Sequence, residues 1–365
     1  PQPLDLKGLG TILFLTGGIS GTRPTSGGDI RTTAAAGALY PNELYAVTGD
    51  LPGLPAGIYH HDPKRQVLSR LRSGDWRAAL ATAALDERIR NAPASIVLTG
   101  ILWRSAWKYG ERAYRHLHWD GGMMLAHTLA AAEASNLPAT VLGAFIDKDV
   151  DHLIGETGRR EKTLAVVPVG FGSSTASTNE KGAGYPVPPL GLEPTPLSRQ
   201  PIDYPEALRY HAASRLADAD AVGKFRRASF SSDRLGRSVA SVHSFPPPRE
   251  ARGDPTLDAV IRRRRSTRRF AQSPISLSEL ATILERSTRG FPADFVGPDE
   301  TLLETYLIVN AVRGIEPGAY HYDRRSHRLE LLKTGDFRGS ASFLCLDQAL
   351  ARDASAVLYY LTDLG

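Results

Sequence analysis

The chain has 365 residues, a formal net charge of +5 and 42% hydrophobic residues, the balance of an ordinary globular protein long enough for two cores. No window holds the roughly 18 unbroken apolar residues that a membrane helix needs, and no signal peptide is visible. The single cysteine, Cys345, rules out an internal disulfide and a cysteine metal cluster, so a reducing cytoplasm is the simplest compartment.

Residues 3–16 have helical periodicity, with Leu4, Leu6, Leu9, Ile12 and Leu13 apolar. Residues 17–41 are rich in Gly, Ser, Thr and Pro and predict an extended loop. Residues 44–47, 57–61 and 66–71 predict strands, with 62–65 as a hairpin turn. A helix is expected to open at Gly74-Asp75-Trp76. The continuous apolar run 95–102 predicts a buried central strand. A long Ala-rich helix follows over 120–135, then strands at 138–146 and 163–170. This is an α+β unit covering 1–173. Residues 174–253, with clusters of Ser, Thr, Gly and Pro, predict a linker and wrapping segment with a helix around 204–216. A second unit is expected over 254–365.

That second unit repeats the first. Residues 43–77 recur as 304–338, with Gly57, Tyr59, His60, Asp62, Gly74 and Asp75 matching Gly318, Tyr320, His321, Asp323, Gly335 and Asp336, all 261 positions apart. Upstream, Pro3, Leu9 and Leu13 match Pro274, Leu280 and Leu284 at 271 positions, so the second copy is ten residues shorter in between, opposite 31–41. A spacing this long excludes a solenoid and implies two copies of a domain-sized unit, an arrangement that can replace a homodimer by an intrachain pseudo-dimer. Each copy carries motifs that the other lacks. Pro1 is not an initiator residue, so the gene is expected to begin earlier.

Three motifs carry candidate chemistry. In 262–270, RRRRSTRRF, the alternation of Arg264, Ser266 and Arg268 puts two guanidinium groups and a hydroxyl on one face of an extended segment, suited to a phosphate. The plainer alternative is a solvated basic strip. In 107–116, WKYGERAYRH, Lys108 and Tyr109 closely follow the central strand and could exchange a proton, since an adjacent ammonium stabilises a phenolate. If this stretch is one helix, Arg112 and Arg115 share the face of Lys108; the alternative is a loop with snorkelling cations. In 34–41, AAAGALYP, small residues allow backbone to approach a flat ligand, or simply make a tight connection. His60 and His61 lack a third ligand nearby, so no metal is expected. No G-x-G-x-x-G follows a strand and no P-loop occurs, which disfavours a Rossmann or P-loop nucleotide site. No nucleic-acid recognition motif accompanies the basic runs, which suit an anionic ligand or a peptide substrate at least as well.

Together these motifs resemble the nitroreductase superfamily of flavin enzymes, and within it the SagB-type dehydrogenases, which oxidise thiazoline and oxazoline rings in ribosomal peptides. The resemblance covers about 1–172 and 254–365. It rests on 31–45, 57–63, 74–77, 108–115 and 167–171 of the first copy, and on 264–270 and the repeated hairpin of the second. It implies FMN held between two copies of the fold, with Arg264, Ser266 and Arg268 gripping the phosphate. Ala34, Ala35, Ala36, Gly37, Ala38 and Tyr40 match the loop against the isoalloxazine ring. Lys108 and Tyr109 match the pair associated with ring oxidation. The family loop typically reads Pro-Ser-Ala-Gly; here Ala34-Ala35-Ala36-Gly37 lacks the hydroxyl, a loss of about 1 kcal/mol. The sequence leaves open whether Lys108 and Tyr109 reach the composite site or its counterpart.

The expected activity is an FMN-dependent dehydrogenation of azoline-type rings in a peptide or small-molecule natural product, with a possible partner in a modifying complex. An NAD(P)H-dependent nitro or quinone reductase would use the same fold. A flavin-free scaffold or peptide-binding pseudoenzyme would account for the losses in both copies.

Overall fold

The chain builds two five-stranded antiparallel sheets, the second taking one strand from the segment that precedes the second copy of the repeat. The computed structural model describes residues 3–23, 27–156, 161–171, 186–192, 198–200, 202–228, 238–247, 253, 255–297 and 300–362. Much of the expected linker, including 174–185, 193–197 and 229–237, lies outside the described residues, as do 172 and 173. The chain divides into one unit of Pro1–Ala228, Pro255–Arg264 and Pro292–Phe295 and another of Ser229–Asp254, Arg265–Phe291 and Val296–Gly365.

In the first unit α1 (Leu6–Gly17) opens at Asp5, whose carboxylate accepts the Gly8 N–H at 2.7 Å. The Gly-rich stretch after it forms a short hairpin, β1 (Ile19–Thr22) with β2 (Asp29–Arg31), where a loop is expected from composition. Strands β3 (Asn42–Thr48), β4 (Gly57–Asp62) and β5 (Val67–Ser73) lead into α2 (Arg77–Ala84) and α3 (Glu87–Asn91). Then come β6 (Ala94–Ile101), α4 (Leu102–Tyr109), α5 (Ala113–Ala134), α6 (Asp147–Ile154) and β7 (Glu161–Val169). The sheet order is β5-β4-β3-β6-β7. Because strand side chains alternate, β3 and β6 feed two cores. Leu44, Ala46, Ile96 and Leu98 pack with α1 and α5, whereas Tyr45, Val47 and Val97 pack with α2, α3 and α6.

Residues 138–146, expected as a strand, make only isolated bridges. Leu142 pairs with Val166, but Val141 pairs with Ala293, and the Gly143 and Ala144 amides donate to the Asp294 carboxylate at 2.7 and 3.3 Å. A side chain thus takes the amides that would extend a ladder. Further on, α7 (Pro205–Ser214) matches the expected helix, and a second helix, α8 (Ala219–Arg227), follows it. Arg226 of α8 bridges Asp294 at 2.9 Å and donates to the Ala84, Leu85 and Ala144 carbonyls. Helix α9 (Leu257–Arg263) follows the expected start of the second unit in sequence but packs in the first, where Ile261 joins the α1/α5 core and Arg262 lies 4.3 Å over the Phe14 ring.

The second unit runs β8 (Ser241–Ser244), β9 (Ile275–Ser276), α10 (Leu277–Ser287), β10 (Glu304–Val309), β11 (Val312–Arg313), β12 (Gly318–Asp323), β13 (Arg328–Thr334), α11 (Arg338–Leu344), α12 (Ala349–Asp353) and β14 (Ala356–Leu361). Its order, β14-β10-β12-β13-β8, repeats β6-β3-β4-β5. The duplication extends to detail. The bulge at Ile58/Tyr59 recurs at Ala319/Tyr320, and the Tyr59 hydroxyl bond to Pro55 O (2.7 Å) recurs from Tyr320 to Glu316 O (2.6 Å). The copies then diverge. Ile12 is 0% exposed beside α5, but its counterpart Ile283 is 49% exposed, and among the described residues the second unit has no counterpart of α5 or β7. No helix among the described residues is long and apolar enough to cross a membrane.

Candidate active site

The loop after β2 leaves extended backbone abruptly. A 3-10 turn at Ala36–Ala38 contains Gly37 at φ +61°, and Ala38 and Tyr40 follow at +54° and +49°. Left-handed backbone costs little at glycine but about 1–2 kcal/mol at an L-residue, so this loop is held against its local preference. Three contacts hold it. The Ala36 N–H donates to Asp120 Oδ1 at 2.9 Å, the Tyr40 hydroxyl accepts the Arg31 N–H at 3.3 Å, and Arg104 donates to the Tyr40 carbonyl at 3.3 Å.

Lys108 and Tyr109 end α4. Gly110, at φ 55° and ψ −141°, a conformation open to glycine, breaks the helix, and the chain resumes through a 3-10 turn into α5. Arg112 and Arg115 therefore do not continue the face of Lys108, as one unbroken helix would require. The break turns Lys108 and Tyr109 back onto the 34–41 loop. A Cβ built on Gly37 would lie 2.5 Å from the Tyr109 hydroxyl and 2.9 Å from Lys108 Nζ. Only glycine lets the loop backbone come this close to both.

Helix α5 closes the far side. His116 meets the Tyr109 ring edge-on at 4.2 Å and tilts against the exposed Trp119 at 5.2 Å. One turn on is Asp120. Its helix lies close to the sheet at Gly121, where an added Cβ would meet Leu98 and Leu164 at 3.3 Å, and the Asn42 amide of β3 donates to the Leu117 carbonyl at 3.2 Å. Asp120 is 6% exposed, and burial pushes its carboxyl up to about 6 despite the Ala36 hydrogen bond. His116 Nδ1 and Asp120 Oδ2 are buried without hydrogen-bond partners. Buried polar atoms left unsatisfied are unusual in a folded core.

Beneath the loop, Glu43 of β3 accepts from His60 Nε2 at 2.8 Å and pairs with Arg104. Burial would raise the Glu43 carboxyl, but His60 and Arg104 outweigh it and hold it at about 2. Arg104 thus links a permanent buried carboxylate to the Tyr40 carbonyl of the loop. The second unit keeps part of this network: His321 meets Glu304 at 2.6 Å and Glu330 at 2.9 Å. The Tyr45–His60 ring pair at 5.1 Å recurs as Tyr306–His321 at 5.0 Å.

Of the phosphate-binding candidates, Arg264 donates to the Arg31 and Thr32 carbonyls at 3.3 and 3.4 Å, at the stem of the 34–41 loop. Ser266 and Arg268 are exposed in the second unit, on a segment without helix or strand. The structure therefore brings Arg264, the 34–41 loop, Lys108 and Tyr109 together in the first unit. Sequence reasoning missed Asp120, His116, Glu43 and Arg104. For Glu43 and His60 the signal was present, since both recur in the repeat as Glu304 and His321. Among the described residues no three His, Cys, Asp or Glu side chains cluster as for a metal. A cavity of about 340 Å³ lies in the second unit between Phe245, Pro246, Glu285 and Tyr322, and none of the candidate residues lines it.

A second buried group lies under α7. Lys162 of β7 is 1% exposed, its Nζ has no hydrogen-bond partner and sits 4.6 Å over the Tyr114 ring. Burial brings its amine down from 10.5 to about 7, against the attraction of Asp151. The segment above is latched by Arg215 to Asp151 at 3.0 Å, by Ser214 to the Tyr114 hydroxyl at 2.6 Å and by the Leu216 N–H to Asp147 at 2.7 Å.

Comparison with known proteins agrees with this architecture. Residues 13–171 match the Nitroreductase family. A Methanocaldococcus jannaschii protein named as a nitroreductase is 30% identical over 170 residues, 46% of this chain and 82% of that one. A crystal structure of an Anabaena variabilis protein, also named as a nitroreductase, shares the fold across both units, with a TM-score of 0.74 at 24% identity over 98% of this chain and 74% of that one. The E. coli microcin synthetase McbBCD complex with truncated pro-MccB17 is more remote, with a TM-score of 0.41 at 21% identity over 47% of this chain and 66% of that one. The chain belongs to the nitroreductase family of oxidoreductases.

Proposed function

We propose that this protein binds FMN and dehydrogenates azoline-type rings in a peptide or natural-product substrate, as a SagB-like member of its family acting in the cytoplasm, with a possible modification-complex partner. The observation that carries the proposal is the meeting of Gly37 with Lys108 and Tyr109. A backbone able to bed a flat ring and a pair able to move a proton share one locus.

The residues present fit the cofactor. Asp120 Oδ2 and His116 Nδ1 are buried polar atoms still to be satisfied, Arg264 stands at the loop stem, and Gly37 brings the loop backbone up to Lys108 and Tyr109. Arg264, Ser266 and Arg268 would hold the phosphate, and Ala34, Ala35, Ala36, Gly37, Ala38 and Tyr40 the ring system. Bound FMN would supply the redox chemistry, accepting the hydride that leaves a ring carbon. Lys108 or Tyr109 would take the proton from the adjacent ring atom as the new double bond forms. Glu43 and Arg104 would keep Tyr40 in place meanwhile.

The test is a pair of steady-state assays on protein reconstituted with FMN. Oxygen-dependent conversion of a thiazoline-containing peptide to the thiazole, two mass units lighter, is the expected result. Oxidation of NAD(P)H with a nitroaromatic but no ring conversion would assign the site to the nitro or quinone reductases instead.

A further inference from the structure

We propose that Asp120 is a positioning residue whose carboxylate clamps the Ala36 amide and thereby sets the Gly37 backbone against Lys108 and Tyr109. The proposal deepens the flavin-site reading and rests on it for its functional meaning, although the clamp itself can be measured without flavin.

The clamp acts on the strained part of the loop. Ala36 immediately precedes Gly37, and the left-handed conformations of Gly37, Ala38 and Tyr40 follow within four residues. A loop in such a conformation persists when its surroundings over-determine it. Asp120 Oδ1 at 2.9 Å is the side-chain acceptor that fixes the start of the turn. The helix bearing it is seated closely on the sheet at Gly121, where an added Cβ would lie 3.3 Å from Leu98 and Leu164. The position of the carboxylate is therefore transmitted from the sheet to the loop.

A carboxylate here is not the residue that stability alone would select. Asparagine could accept the same N–H through its carbonyl and carry no charge, yet the chain buries an ionisable group and leaves Oδ2 unsatisfied. His116, one turn back on α5, packs against Tyr109, and no charged side chain contributes to the Asp120 shift. Burial raises the Asp120 carboxyl, and the Ala36 N–H only partly offsets this. An ionised carboxylate is the stronger acceptor, so the loop should be held most firmly above about pH 6 and lose about the few-fold that separates a charged from a neutral acceptor as Asp120 takes a proton below it.

Hydrogen exchange of the peptide spanning 33–40, corrected for intrinsic rates, tests this on the full chain without flavin. Asp120→Ala should speed exchange of that peptide about tenfold while leaving β3 and β6 unchanged. Asp120→Asn should stay within about threefold of wild type at pH 7.5, since it retains an acceptor, and should not show the loss of protection that wild type shows between pH 7 and 5. FMN affinity, read by flavin fluorescence, should fall about tenfold in Asp120→Ala and follow the same pH profile in wild type. Unchanged loop exchange in Asp120→Ala, or an Asp120→Asn protein with the wild-type pH profile, would overturn the clamp. If Asp120→Ala loosens the sheet as well, the pH comparison of wild type with Asp120→Asn decides alone. Normal clamp behaviour in a protein that never binds FMN would defeat the flavin reading and leave the clamp standing.

Discussion

Replacing Lys162 with methionine is expected to make the protein more stable at pH 7, by about 2–4 kcal/mol. The amine ordinarily titrates at 10.5 and here at about 7, and each unit between those values corresponds to about 1.4 kcal/mol. The unfolded chain binds a proton in this interval and the folded chain does not, so wild-type stability rises as pH rises from 7 towards 10.5. Methionine fills similar space against Tyr114 without a charge to desolvate. Asp151 keeps its bridge to Arg215 at 3.0 Å. Thermal unfolding should show a Tm gain of about 3–8 °C at pH 7 that shrinks by pH 10. A destabilised variant, or one with the wild-type rise across that interval, would mean that Lys162 is charged and paired in the folded protein.

The second large effect concerns turnover. Lys108→Ala and Tyr109→Phe together should lower ring dehydrogenation by about 10²–10⁴-fold, the usual range for a positioned proton acceptor, while FMN affinity changes by only a few-fold. Neither side chain bonds the backbone of the 34–41 loop, whose contacts come from Asp120, Arg31 and Arg104. The cofactor site should therefore outlast their loss. Rapid-reaction spectroscopy of flavin reduction by substrate separates the two quantities. Reduction at the wild-type rate would exclude both side chains from proton transfer.

The sheets were legible because strands depend on local signals. The run 57–62 has Gly at its start and Asp62-Pro63 at its turn, and its recurrence at 318–323 doubled the evidence. The strand expected over 138–146 failed because Asp294, some 150 positions away, takes the amides of Gly143 and Ala144. The boundary before α9 misled for a similar reason, since Ile261 buries itself in the first unit's core. Within the site, residue types marked the 34–41 loop and the Lys-Tyr pair as candidates and the resemblance gave them roles, but their meeting depends on the backbone of Gly110 and Gly37. Asp120 gave no local signal. An acid on an Ala-rich helix ordinarily faces water, whereas the seating of this helix on the sheet at Gly121 leaves Asp120 bonded to the Ala36 N–H.

On the proposed function, FMN binds beside the locus where Gly37, Lys108 and Tyr109 converge. Titration of the purified chain with FMN, followed by removal of free ligand and measurement of flavin absorbance, tests it most directly. One FMN retained per chain, with riboflavin held more weakly for want of the phosphate that Arg264, Ser266 and Arg268 would grip, is the predicted result. A chain that stays colourless at saturating FMN would contradict it and favour a fold that has shed its cofactor.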